Sequence, residues 1–234
     1  MHPNVSSLKS SLRKSVLGTL RSLSDAELDQ QSQAVANFLV KQPFFTRARS
    51  VACYLSMARG ELRTSMIVDD LLGRDVKLYT PYLRSSPDSS DVVSPGDAIY
   101  HAEMCMLRMY NSRDLAQCPL DKWRIKDPGE WRRDTDEVIK REDVMNEDVG
   151  PLDLILLPGV AFDVQCNRLG RGKAYYDRFL ASFTSSHRRP LLVALALSTQ
   201  ILPCGEMVPI TDSDFRLDGV LSPAGMVWRD GVAL

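Results

Sequence analysis

DLILLPGVAFDVQCNRLGRGKAYYDRFL, residues 153–180, is the stretch whose reading decides the fold. Leu154, Ile155, Leu156 and Leu157 form a short apolar run stopped by Pro158-Gly159, the length and ending of a buried strand. A polar loop follows, and then Arg168, Gly170, Arg171, Gly172 and Lys173 put three cations and two glycines within six residues, just before a helically patterned segment at 174–181. Glycines let backbone approach a ligand closely, amides at a helix N-terminus favour anions, and Arg and Lys neutralise phosphate charge. Together they describe a phosphate cradle. It is not a Walker loop, because Ala174 stands where a hydroxyl residue is required, and it is not G-x-G-x-x-G. On spacing alone, a solvated basic turn fits the same residues equally well.

Outward from this segment, apolar runs at 50–55, 76–80 and 191–197 read as further buried strands, and 104–110 alternates as another. A helical stretch near 64–72, which Gly73 can close, separates the first two. Upstream, Leu12, Val16, Leu17, Leu20 and Leu23 recur at steps of three and four, the apolar stripe of one helix. Ser24 and Glu27 form a capping box that starts a second helix over 25–40, ended before Pro43. Strands alternating with helices predict a three-layer α/β single domain over 1–234, with a central, largely parallel sheet flanked by helices. Composition marks 84–97 as a loop and 121–150 as an exposed excursion.

Twenty-nine Lys and Arg against 30 Asp and Glu leave a formal net charge of -1 in 234 residues, so no global basic field points to nucleic acid. Apolar runs fall far short of the roughly 18–20 residues of a membrane span. The start of the chain has basic residues but no following apolar stretch, which predicts a cytoplasmic protein, with a mitochondrial transit peptide as the alternative for this Ser-rich, acid-free segment. Five scattered cysteines without C-x-x-C, and three histidines, argue against a disulfide framework and against a zinc site.

The segment NRLGRGKAYYDRFL, preceded by LLPGVAFD, resembles the signature of the 5-formyltetrahydrofolate cyclo-ligase family, also called 5,10-methenyltetrahydrofolate synthetases. Further matches lie in order along the chain: KSSLR at 9–13, YLSMARGELRT at 54–64, KWRIKDP at 122–128 and VPITDSDFRLDGV at 208–220. The resemblance implies a monomeric enzyme that uses ATP and Mg2+ to cyclise 5-formyltetrahydrofolate to 5,10-methenyltetrahydrofolate, releasing ADP and phosphate. It also implies an ATP site of Lys9, Arg13, Arg168, Leu169, Gly170, Arg171, Gly172, Lys173, Ala174, Tyr175 and Tyr176, with Arg171 and Lys173 catalytic. Leu55, Met57, Glu61 and Trp123, with Arg171, Lys173 and Tyr175, would contact folate, and Asp177 and Asp214 would hold Mg2+. A carboxylate such as Glu61 suits the donors of a pterin, being acceptor-only when ionised.

Each assignment has a plainer counterpart. Lys9 and Arg13 can be a solvated helix face, Asp177 an ion-pair partner of Lys173, Asp214 a turn residue, Leu55 sheet core, and Asp218 is read as structural. Two departures from the family pattern stand out. Ala174 replaces a usual glycine, and the helical reading of its backbone makes that nearly neutral; Tyr82 replaces a frequent arginine. A non-catalytic folate- or nucleotide-binding relative is the alternative to an active enzyme.

Overall fold

The computed structural model describes residues 4–84 and 102–232. Helices α1 (Val5–Ser22), α2 (Asp25–Leu39) and α3 (Pro43–Thr46) lead into strand β1 (Ser50–Cys53), helix α4 (Ser65–Leu72) and strands β2 (Lys77–Arg84) and β3 (Glu103–Met109). Helix α5 (Ser112–Gln117), strands β4 (Leu154–Leu157), β5 (Ala161–Phe162) and β6 (Arg168–Leu169), helix α6 (Tyr175–Ser186) and strands β7 (Leu191–Leu195), β8 (Gly219–Ser222) and β9 (Gly225–Trp228) complete the order. Seven strands form one sheet in the order β3-β2-β1-β4-β7-β8-β9, and β5 and β6 make a small separate hairpin. Strands β2, β1, β4, β7 and β8 run parallel, and β3 and β9 close the two edges antiparallel.

Strand period explains how one sheet serves two cores. Val51 and Cys53, Leu154 and Leu156, and Val193 and Leu195 point to one face, where α1, α2 and α4 supply Leu20, Leu28, Val35, Leu39, Ile67 and Leu71. The alternate residues Ala52, Ile155, Leu157, Leu192 and Ala194 point to the other, against Phe179, Leu180 and Phe183 of α6. Each fully buried Leu, Val or Phe contributes about 1.5–3 kcal/mol, so the stripe of α2 alone fixes that helix to the sheet. Its start is set by the expected capping box: the Ser24 hydroxyl accepts the Glu27 N–H, and the Glu27 carboxylate accepts the Ser24 N–H at 2.8 Å.

Segment 121–150 departs from its expected exposure. Val144 and Val149 are buried, the Val144 N–H donates to the Met106 carbonyl at 3.0 Å, and Asp143 bridges to Leu107 of β3. Arg141 is buried in a two-pronged pair with Asp114 of α5, its Nη2 2.7 Å from Asp114 Oδ1. The charges that read as a solvated surface include this matched pair; the outer part, with Val138 82% exposed, does face water. The loop expected over 84–97 lies, beyond Arg84, outside the described residues.

Candidate active site

From β1 the chain crosses to β2 on one side, whereas β4 lies on β1's other side, so the order of the sheet reverses between β1 and β4. In open α/β sheets, crevices at such a reversal, beyond the carboxyl ends of the strands, receive ligands. The loops that leave β1 and β4 there are residues 54–64 and 158–174, the two stretches in which most of the expected site residues stand.

The β4 loop is built for close approach. A Cβ on Gly159 would meet the Phe162 ring at 2.4 Å, so only glycine fits, and the buried Gln200 amide donates to the Gly159 carbonyl at 2.6 Å. The β5-β6 hairpin then returns the chain to Gly170. Gly172 has φ 94° and Ala174, the N-cap of α6, has φ 52° and ψ 22°. The helical backbone expected for Ala174 is therefore corrected: it is left-handed, a conformation in which a methyl group is strained and the usual glycine is not.

Other elements close around this loop. Arg13 Nε, on α1, donates to the Gly170 carbonyl at 2.7 Å, and one turn earlier Lys9 Nζ meets Asp214 Oδ2 at 2.5 Å. Neither side chain is the solvated helix face that charge alone allowed. Burial lowers the Arg13 pKa, and nearby Asp214 works against that shift. Asp214 is also a turn residue, its Oδ2 accepting the Thr211 N–H at 2.6 Å and the Thr211 hydroxyl at 2.8 Å. Burial pushes its carboxyl pKa up, but Lys9 and Thr211 outweigh that and hold it low. Asp177 pairs with Arg168 at 2.9 Å, while its Oδ1 accepts the N–H of Phe215, the neighbour of Asp214, at 3.3 Å. The two aspartates thus come from distant segments to one place.

Arg171 reaches across the crevice to the β1 loop, donating to the Gly60 carbonyl at 3.1 Å and lying 3.5 Å from the Glu61 carboxylate. Glu61 is 5% exposed, and its Oε1 accepts the Met57 N–H at 2.6 Å. Desolvation raises its pKa, opposed by Met57 and Arg171. Tyr54 and Tyr176 both feel its charge, and burial pushes both phenols far up. The Tyr54 hydroxyl donates to the Leu62 carbonyl at 3.0 Å, fixing the loop that holds Glu61. Gly60, with φ 83°, and Tyr54 were not singled out from the sequence; the glycine in ARGE was the available signal.

Several expected contacts are less direct. Leu169 is buried on β6 and offers only backbone, its carbonyl accepting the Val160 N–H at 2.7 Å. Leu55 is half-buried against the helix-side core, and Tyr175 and Tyr176 both pack on the α6 side. Lys173 precedes the α6 cap, and its carbonyl accepts from Arg178 at 2.9 Å. Trp123 is 38% exposed in a turn closed by Asp121, with Lys122 over its ring. Among the described residues its hydrogen bond and ring contact are to Asp121 and Lys122, and not to the Glu61–Arg171 pair. Asp218 is structural as expected, taking Arg189 and Arg229, both at 2.7 Å.

For Mg2+ the donor set is sparse but adequate. Among the described residues no group of three or more His, Cys, Asp or Glu could hold a metal. Mg2+ needs only one or two protein carboxylates when waters and phosphate oxygens complete its shell, and the bonds of Asp214 to Lys9 and Thr211 are all made through Oδ2.

An open, mostly parallel sheet with a cation-bearing glycine loop at its reversal point defines the class: an α/β protein whose crevice sets cations against a buried carboxylate. Residues 5–223 match the 5-formyltetrahydrofolate cyclo-ligase family. The mouse 5-formyltetrahydrofolate cyclo-ligase is 31% identical over 224 residues, covering 94% of this chain and 97% of that protein. A mitochondrial 5-formyltetrahydrofolate cyclo-ligase of Arabidopsis thaliana is 30% identical over 92% of this chain and 74% of its own length. The NMR structure of Aquifex aeolicus 5,10-methenyltetrahydrofolate synthetase superposes with a TM-score of 0.68 at 28% identity, covering 97% of this chain and 96% of that one. The chain belongs to the 5-formyltetrahydrofolate cyclo-ligase family. No described helix is long and apolar enough to cross a membrane.

Proposed function

We propose that this protein catalyses the ATP- and Mg2+-dependent closure of 5-formyltetrahydrofolate to 5,10-methenyltetrahydrofolate, acting as a monomer in the cytoplasm. The observation that carries the reading is Arg171, which stands in the glycine loop and reaches Gly60 and Glu61 on the facing loop. One cation thereby adjoins both the place suited to a triphosphate and the place suited to a pterin.

The chemical obstacle is the leaving group, because a formamide oxygen does not depart as oxide or hydroxide. In the proposed reaction the formyl oxygen attacks the γ-phosphorus of ATP and ADP leaves; N10 adds to the activated carbon, loses its proton, and phosphate departs with the former formyl oxygen. Phosphoryl transfer of this kind needs alignment and charge neutralisation more than covalent help from the protein. Lys9, Arg13, Arg168 and the Gly170 to Gly172 backbone would hold the phosphates, while Arg171 and Lys173 would meet the charge that develops on the transferring group. Glu61 would accept from the pterin's amino and ring N–H groups, with Leu55, Met57, Tyr175 and Trp123 at its surround. Asp177 and Asp214 would hold Mg2+, which when bound neutralises triphosphate charge.

The test is direct. Purified protein supplied with 5-formyltetrahydrofolate, ATP and Mg2+ is expected to generate the methenyl absorbance with one ADP per product and none when ATP is withheld. Calorimetric binding of both ligands without that absorbance would replace this reading with a non-catalytic binder.

A further inference from the structure

Asp163 lies immediately after β5, 2% exposed, and no salt bridge joins it to a cation among the described residues. Four N–H groups converge on its carboxylate. Oδ1 accepts from the Gln165 and Asn167 backbones at 2.9 and 3.0 Å, which closes a tight turn in which Cys166 has φ 63°. That turn reverses the chain so that β6 lies antiparallel on β5 and delivers Gly170 to the crevice. Oδ2 does something different. It accepts the Asn167 amide at 2.9 Å and, across 45 residues of sequence, the Val208 N–H at 2.9 Å.

Val208 begins the segment that carries Asp214, and the same turn grips that segment again beyond it. The Leu217 N–H donates to the Cys166 carbonyl at 3.1 Å, and Arg216 donates to the Gln165 carbonyl and side-chain oxygen, both at 3.1 Å. Segment 208–217 is therefore fastened at both ends to the turn at 163–167, with Asp214 on the span between. The other side of the turn runs directly into the glycine loop. Closing the turn requires one oxygen; holding Val208 requires the second.

We propose that Asp163 is a positioning residue, whose second carboxylate oxygen sets Asp214 relative to the Gly170 to Lys173 loop and so fixes the geometry of the nucleotide half of the site. The inference rests on the function proposed above in taking Asp214 and the loop as that half. The folate half, residues 54–64, makes no hydrogen bond to the turn among the described residues, so the effect of losing Oδ2 is one-sided.

Asp163→Asn separates the two roles. The amide keeps one oxygen for the turn but faces the Asn167 and Val208 donors with an NH2 group, donor against donor. Misplacing a supporting group of this kind typically costs on the order of 10–100-fold in metal affinity or activity. The variant is expected to need on the order of tenfold more Mg2+ for half-maximal rate and to raise the ATP KM, with the 5-formyltetrahydrofolate KM unchanged. In ligand-free protein, amide hydrogen exchange is expected to quicken at 208–214 and not at 54–64. Asp163→Ala, which loses the turn as well, should show both effects and a lower Tm. Equal rises in both substrate KM values, or a fall in Tm with exchange at 208–214 unaltered, would overturn the proposal. A wild type without methenyl product would sink the proposed function instead, while exchange at 208–214 and ATP calorimetry would still decide the role of Asp163.

Discussion

Ala174→Gly should make this protein more stable, and the size of the gain can be worked from the backbone. Ala174 has φ 52° and ψ 22°, and a left-handed residue with a Cβ costs roughly 1–2 kcal/mol. Glycine removes that cost but adds freedom to the unfolded chain, which takes back about 0.4–1 kcal/mol. The methyl is exposed and fills no core, so no packing is lost. The net gain runs from about 0 to 1.6 kcal/mol and centres on about 0.8 kcal/mol, and for a chain of this length about 2–4 °C of Tm corresponds to each kcal/mol. Thermal unfolding should therefore shift up by about 1–4 °C, and urea unfolding should move its midpoint with an unchanged m-value. Ala174→Val should move both the other way, because a β-branched residue fits the left-handed region worse. An Ala174→Gly protein that melts below the wild type would show that the strain does not exist in solution.

The other expectations concern charge. Lys173→Ala should lower kcat by on the order of a hundredfold with a modest change in ATP affinity, since its charge matters most during transfer; steady-state kinetics with an unchanged kcat would refute this. Asp177→Asn and Asp214→Asn should each raise the Mg2+ needed for half-maximal rate, and the double variant should be less than additive because both act on one ion; full additivity in a magnesium titration would separate them. Glu61 has a folded pKa raised by burial, so its proton is bound more tightly in the native state, and the stability it lends at low pH is lost as pH rises through that folded value. Glu61→Gln should thus become more stable relative to the wild type as pH increases while its folate KM rises, which paired denaturation curves at several pH values would detect. Asp114→Ala strands the buried Arg141 and should cost about 3–5 kcal/mol, read as a fall in Tm; a change below 1 kcal/mol would mean that water reaches the pair.

Much of this architecture is readable in advance because it follows simple periods. The stripe of α1, the capping box of α2 and the apolar runs of β1, β4 and β7 are local signals, and the parallel sheet follows from their alternation. The β8-β9 hairpin gave no such signal: Gly219–Ser222 and Gly225–Trp228 are strands of four residues without alternation, recognisable only by their partners. The 121–150 segment misled for the opposite reason, since Arg141 reads as solvated until Asp114 is known to sit beneath it. At the candidate site, residue types and a family likeness brought forward segments that the structure gathers at one crevice, but not the way they connect. That Lys9 meets Asp214 across 205 positions, or that Arg171 spans to Glu61, depends on tertiary approach. The backbone sign at Ala174 was equally invisible, because a residue's φ at a helix N-cap is set by the loop that enters it.

Each carboxylate expected to serve a ligand is held by a cation expected to serve another: Asp214 by Lys9, Asp177 by Arg168, Glu61 by Arg171. In the proposed reaction, ligand entry would then be an exchange of counter-ions and not an addition of charge. A lone anion that draws one of these cations away leaves an acid behind, and abandoning a buried charge is costly, most of all for Glu61. An anion that travels with its own divalent cation, together with a partner rich in N–H donors, settles both sides of the exchange at once. Because salt weakens the internal pairs along with the new ones, nucleotide affinity should fall with ionic strength less steeply than a crevice of bare cations would allow. If the proposed function holds, selectivity against stray phosphate would in this sense be written into the resting protein, before any substrate arrives.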